Sequence, residues 1–215
     1  MTEKNPEYDF KWCPGCGDFG VRRALERAIE RRIIDREEPI ESNVVVAGIG
    51  CSGNMVHVLE EDAQPYGFHG IHGRTLPVAM GIKMARANLN VIIVAGDGDF
   101  LSIGLEHIAP QAARNLNVTA VIMDNAVYGL TKGQGSPTSE LGQVTSSTPY
   151  GNPVEQLNAL RLYLTLGISF VASGISTKVK ALSEMIYDSM NHPGLAVVHV
   201  QSPCTTYYNT FEQLK

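Results

Sequence analysis

Apolar residues fall along this chain in two rhythms that alternate. From Gly20 to Arg36 they recur at Val21, Ala24, Leu25, Ala28, Ile29 and Ile33, the i, i+3, i+4 spacing that gives a helix one apolar stripe and leaves charge on its outer face. Val44 to Ala47 is an unbroken apolar run, as expected of a short buried strand, and Leu76 to Asn88 reads as a helix that begins after His72-Gly73-Arg74-Thr75. Two further runs, Val91 to Ala95 and Val118 to Met123, flank Leu101 to Asn115, which can form a helix. The pattern then predicts a helix over Val154 to Leu164, a strand over Ser169 to Ser173, a helix over Thr177 to Asn191 with Ser176 or Thr177 as N-cap, and a last strand over Leu195 to Val200. Only Lys132 to Asn152, rich in Gly, Ser, Thr and Pro, lacks a rhythm, and a loop that long is expected to be functional. No internal repeat or linker interrupts the alternation. The expectation is one α/β domain over residues 1–215, a mainly parallel sheet covered by helices on both faces.

A strand, helix, strand succession with right-handed crossover lays its strands parallel, and ligands bind at the carboxyl ends of such strands. At two of those ends stand Gly96-Asp97-Gly98-Asp99 and Asp124-Asn125. Either alone is accounted for by a tight turn or a strand cap. Together Asp97 and Asn125 offer a carboxylate and an amide oxygen, with a backbone carbonyl near Val127 as a third ligand, while Gly96 and Gly98 leave N–H groups open to phosphate at a helix N-terminus. That set suits Mg2+ on a diphosphate, since hard Mg2+ takes few protein oxygens and shares the phosphates.

The 215 residues are 44% hydrophobic and 18% charged, with a net charge of −5, so a globular chain with a sizeable core is expected and a basic nucleic-acid footprint is absent. The longest apolar runs are strand-length, short of the roughly 20 residues a membrane span needs, and the start MTEKNPEYDFKWC is too charged for a signal peptide; a cytoplasmic protein is expected. In that compartment four cysteines point to metal or redox chemistry rather than structural disulfides. Cys13 and Cys16 form Cys-Pro-Gly-Cys-Gly, Cys51 sits in Gly-Ile-Gly-Cys-Ser-Gly, and Cys204 follows Pro203. Four thiolates suit zinc or a [4Fe-4S] cluster, and the blander alternative leaves only the CPGCG loop reactive, with Cys51 and Cys204 as small buried residues. Cys51 belongs at the same sheet edge as Asp97, and beside a redox cofactor an iron–sulfur cluster can accept electrons whereas zinc cannot. His72 and Arg74 precede a helix whose N-terminus could face a diphosphate, where an Arg fork pairs well; equally they could satisfy backbone carbonyls or a surface acid. His57, His107, His192 and His199 have no such context and are read as structural or surface residues.

GDGD followed by an asparagine at the next strand end resembles the thiamine diphosphate motif. With CPGCG, GIGCSG, His69-Gly70-Ile71-His72-Gly73-Arg74, the DNAVYGLTKGQ and SPT segments and Ser202-Pro203-Cys204, the chain resembles the β subunits of 2-oxoacid:ferredoxin oxidoreductases from about residue 10 to 210. The resemblance implies CoA-dependent oxidative decarboxylation of a 2-oxoacid to acyl-CoA and CO2, with electrons passing through one [4Fe-4S] cluster to ferredoxin. It implies Cys13, Cys16, Cys51 and Cys204 as cluster ligands; Asp97, Asn125 and the Val127 carbonyl as Mg2+ ligands; and thiamine diphosphate on Ile49, Gly50, Cys51, Ser52, His72, Gly73, Arg74, Thr75, Gly98, Asp99, Gly129 and Leu130. It implies catalytic parts for His72 and Arg74, and for Lys132 against the substrate carboxylate. A glutamate that activates thiamine, and contacts to substrate and CoA, are expected on a separate α subunit. β subunits of this kind commonly continue past the position of Lys215. The competing expectation is a thiamine-dependent decarboxylase or synthase subunit without electron transfer, its cysteines holding zinc or nothing; a third is a non-catalytic relative.

Overall fold

The computed structural model describes residues 11–59 and 66–214; the charged start of the chain, residues 1–10, lies outside them. The elements run α1 (Asp18–Arg36), β1 (Asn43–Ala47), β2 (Tyr66–His69), α2 (Thr75–Ala85), β3 (Asn90–Gly96), α3 (Ile108–Arg114), β4 (Thr119–Asp124), the short pair β5 (Val127–Tyr128) and β6 (Gln134–Gly135), α4 (Ala159–Thr165), β7 (Phe170–Ile175), α5 (Val179–Asn191) and β8 (Ala196–Gln201). Six strands form one sheet in the order β2-β1-β3-β4-β8-β7, every neighbouring pair parallel. Fully buried strands explain the unbroken apolar runs: β1 and β4 are buried at every position. On one face Val45, Ala47, Val94, Val121 and Val198 pack against α1 and α5 through Leu25, Ile29, Leu182 and Ile186. On the other, Val46, Ile93, Ala95, Ile122 and Val197 pack against Leu76 of α2, Ile108 of α3 and Tyr163 of α4. Each fully buried aliphatic side chain in these layers contributes roughly 1.5–3 kcal/mol.

Three local expectations are corrected, and one strand is added. Leu101 to Asn115 is not one helix. A π-helical turn over Asp99–Ile103 and a 3-10 turn over Leu105–His107 precede α3. Gly104 breaks the run because its Cα lies against the Asp99 and Gly73 carbonyls, where a Cβ would come within 2.8 and 3.1 Å. The helix expected from Val154 starts only at Ala159, where Asn158 Oδ1 accepts from Arg161 N at 2.9 Å. Before it, the Asn152 amide donates to the Ser139, Glu140 and Val154 carbonyls and holds the chain extended. Helix α5 begins at Val179 without a side-chain cap, and the Ser176 hydroxyl is buried without a partner. Strand β2 was not expected: as an edge strand, exposed at all four positions, it shows neither alternation nor an apolar run.

Candidate active site

Sheet order gathers the chemistry. Central neighbours β1, β3 and β4 deliver Gly48 to Ser52, Gly96 to Asp99 and Asp124-Asn125 to one edge, and the chain order reverses between β1 and β3, where ligands of such sheets lodge. The pocket there, about 550 Å3 including its open mouth, is lined by the Ile49–Ser52 loop, His72, Gly96 to Asp99, Asn125 and Val127 to Thr131. Asp97 is 2% exposed. Burial, and next the neighbouring Asp124 carboxylate, push it up to about 7, against hydrogen bonds from Ser136, Thr138 and the Asn125 backbone N–H. A buried carboxylate so disfavoured as an anion is a natural cation ligand. Asn125 Oδ1 accepts from Val127 N at 3.1 Å, closing the turn that presents Val127. A Cβ on Gly98 would come within 2.2 Å of the Tyr128 ring, so a larger residue there would displace that ring.

Asp99 lines the pocket and also braces it. Its Oδ1 accepts from Ile49 N at 3.1 Å and Gly73 N at 2.8 Å and meets His72 Nδ1, so it ties the loop after β1 to the turn before α2. Its Oδ2 is buried without a partner against Gly48, where a Cβ would come within 1.9 Å. Of the turn's four candidates, only His72 lines the pocket. Arg74 donates to the Gly73 and Ile103 carbonyls at 3.0 and 2.9 Å and pairs with Glu106 at 3.2 Å, while Thr75 is buried at the start of α2. Lys132 is exposed in a left-handed backbone conformation (φ 86°) just beyond the lining residues.

The cysteines converge from both ends of the chain. The Trp12 indole donates to the Cys51 carbonyl at 2.7 Å, Gly17 N to the Pro203 carbonyl at 3.1 Å, and the Thr205 hydroxyl to the Pro14 carbonyl at 3.1 Å. A Cβ on Gly129, at the pocket wall, would lie 3.4 Å from Cys51 Sγ and 3.9 Å from Cys204 Sγ. Burial, then the Asp18 carboxylate, push the Cys51 thiol up to about 12 and the Cys16 thiol further, and the other cysteines add to both. All four are free thiols, and among the described residues no three His, Cys, Asp or Glu side chains are grouped to hold one ion.

Sequence reasoning passed over Asp18. It is 2% exposed, lines the pocket beside Cys51 and accepts from the Ser202 hydroxyl at 2.5 Å; burial pushes it up to about 6. Its only sequence signal is its place directly after CPGCG. Asp124 and His199 were likewise not read as a pair: His199 Nε2 stands 2.9 Å from Asp124 Oδ2, both buried.

Residues 48–200 match the model of the thiamine pyrophosphate enzyme C-terminal TPP-binding domain. A 2-oxoglutarate synthase subunit KorB of Archaeoglobus fulgidus is 37% identical over 196 residues, 91% of this chain and 70% of that relative. The chain belongs to the 2-oxoacid:ferredoxin oxidoreductase β-subunit family. Within the family, a 2-oxoacid:ferredoxin oxidoreductase subunit beta of Saccharolobus solfataricus is 44% identical, over 91% of this chain and 62% of its own length. The fold agrees with that of the 2-oxoglutarate:ferredoxin oxidoreductase from Magnetococcus marinus, solved with 2-oxoglutarate, coenzyme A and succinyl-CoA bound: TM-score 0.85 and 40% identity, over 92% of this chain and 65% of that one. The chain thus spans less than two thirds of several family members it matches. Among the described residues no helix is long and apolar enough to cross a membrane.

Proposed function

We propose that this chain is the thiamine- and cluster-bearing half of a 2-oxoacid:ferredoxin oxidoreductase. The observation that carries the reading is that Cys13, Cys16, Cys51 and Cys204 are drawn together beside a pocket whose lining includes Cys51, Asp97 and Asn125. Asp97, Asn125 and the Val127 carbonyl hold Mg2+. The loop Ile49 to Ser52, the turn His72 to Thr75, Gly98, Asp99, Gly129 and Leu130 form the cradle for thiamine diphosphate, with Asp99 bracing its two halves. When bound, thiamine supplies the electron sink for decarboxylation, and a [4Fe-4S] cluster takes the two electrons singly. His72, on the pocket wall, faces the cofactor; Arg74 braces the turn from behind; Lys132, at the mouth, meets the carboxylate of a 2-oxoacid, and CoA receives the acyl group.

Redox chemistry favours a cluster over zinc: an iron–sulfur cluster accepts electrons one at a time from a thiamine site, whereas zinc is redox-inert. In this reading an α subunit supplies the glutamate that activates thiamine and completes the site, and ferredoxin carries the electrons away. The test is iron, acid-labile sulfide and a visible spectrum on protein purified without oxygen. About four of each per chain, with dithionite-bleachable absorption, is expected; zinc, or no metal in fresh protein, shifts the reading to a thiamine enzyme half without electron transfer.

A further inference from the structure

A buried polar string runs from Asp97 to residues beyond the pocket lining. The Thr138 hydroxyl lies 2.8 Å from Asp97 Oδ2 and 2.7 Å from Asp124 Oδ1; Asp124 Oδ2 meets His199 Nε2 at 2.9 Å, and His199 Nδ1 faces the buried Tyr163 hydroxyl at 3.4 Å. Asp97, Asp124, Thr138, His199 and Tyr163 are all buried. Thr138 alone in this string belongs to the long loop, which is knotted to the turn after β4: Ser139 Oγ and the Gln143 amide both donate to the Ala126 carbonyl, and Ser136 also reaches Asp97. The same loop begins at Lys132, and Gly135 pairs with Val127 across β5 and β6.

We infer that Thr138 is a positioning residue for the dication site: its hydroxyl fixes the rotation of the Asp97 carboxylate and thereby couples the order of the loop that carries Lys132 to occupancy of the site. The inference rests on the reading of Asp97 as a metal ligand. Hydrogen bonds that orient a ligand carboxylate are worth 10- to 100-fold in metal affinity, about 1.4–2.7 kcal/mol, and two of the three that Asp97 receives, from Thr138 and Ser136, come from this loop, the third from the Asn125 backbone N–H. Asp124, fixed by His199 and by Ala126 N at 3.0 Å, backs Thr138 from the far side.

The test compares the parent with Thr138→Val, Thr138→Ala and Thr138→Ser, each full-length and in complex with the α subunit. Mn2+ binding is followed by electron paramagnetic resonance in the presence of thiamine diphosphate, and protease protection of residues 132–152 is scored with and without both ligands. Val and Ala should weaken Mn2+ binding about 10- to 100-fold and abolish ligand-induced protection, while Ser stays within about threefold of the parent; Ala keeps the comparison valid should Val not fit. Equal Mn2+ affinity in the parent and the hydroxyl-free variants overturns the inference alone, as does Ser behaving like Val. A parent that takes up no Mn2+ overturns both the inference and the functional reading beneath it.

Discussion

Asp18 and Asp97 are the two residues whose burial costs the protein most plainly, and the sign of the cost is fixed. A carboxyl raised when folded keeps its proton while the unfolded chain has lost it, so stability is full below the unfolded pKa near 4 and declines as pH rises through the folded value. For Asp18, raised from 3.8 to about 6, two units at about 1.4 kcal/mol each make roughly 3 kcal/mol. Asp18→Asn should therefore gain stability over the metal-free parent as pH climbs from 4 to 6.5; urea midpoints across that window test this, and a pH-independent difference refutes it. Cys51→Ser should leave the fold intact but lower bound iron below four per chain, since a hydroxyl does not replace a thiolate. At this scale the sequence was legible where chemistry is written in the residue type: Asp97, Asn125 and the four cysteines stand where strand ends and motifs put them. It was illegible where partners decide. Arg74 has carbonyls and Glu106 within reach, so a fork suited to phosphate serves a turn, and Asp18 acquires meaning only once Ser202 folds against it.

Elements were legible in proportion to burial. Strands β1 and β4 are buried along their length and β3 and β8 at all but their terminal positions, and all four read directly; β2, exposed at the sheet edge, carried no periodic signal. Helix starts failed where local side-chain bonds competed, as at Asn152 before α4. Asn158→Ala should cost about 1 kcal/mol by removing the α4 cap, measured by urea denaturation. Two glycines distinguish kinds of close packing. A Cβ on Gly20 would meet the Ser176 carbonyl at 2.1 Å, backbone against backbone, so Gly20→Ala should lose roughly 1–3 kcal/mol of stability. At Gly98 the obstacle is the half-buried Tyr128 ring, which can turn away. Gly98→Ala should therefore spare the thermal midpoint and weaken thiamine diphosphate binding, as titration calorimetry would register.

At the scale of the whole molecule, the parallel sheet places the loops of the candidate site at one edge. The chain by itself should show no 2-oxoacid oxidation with an artificial electron acceptor, and adding the α subunit should restore it; robust turnover by the lone chain would refute the division of labour proposed. The closure of the CPGCG loop onto Pro203 and Thr205 has a consequence in time. Synthesis proceeds from the N-terminus, and domains fold as their parts emerge. Cys13 and Cys16 are made before any strand of the sheet described, yet the strand that brings Cys204 beside them is the last of those strands in chain order. A growing chain therefore carries its early thiols unclosed until β8 has been threaded beside β4, and closure of the proposed cluster site has to wait for that strand.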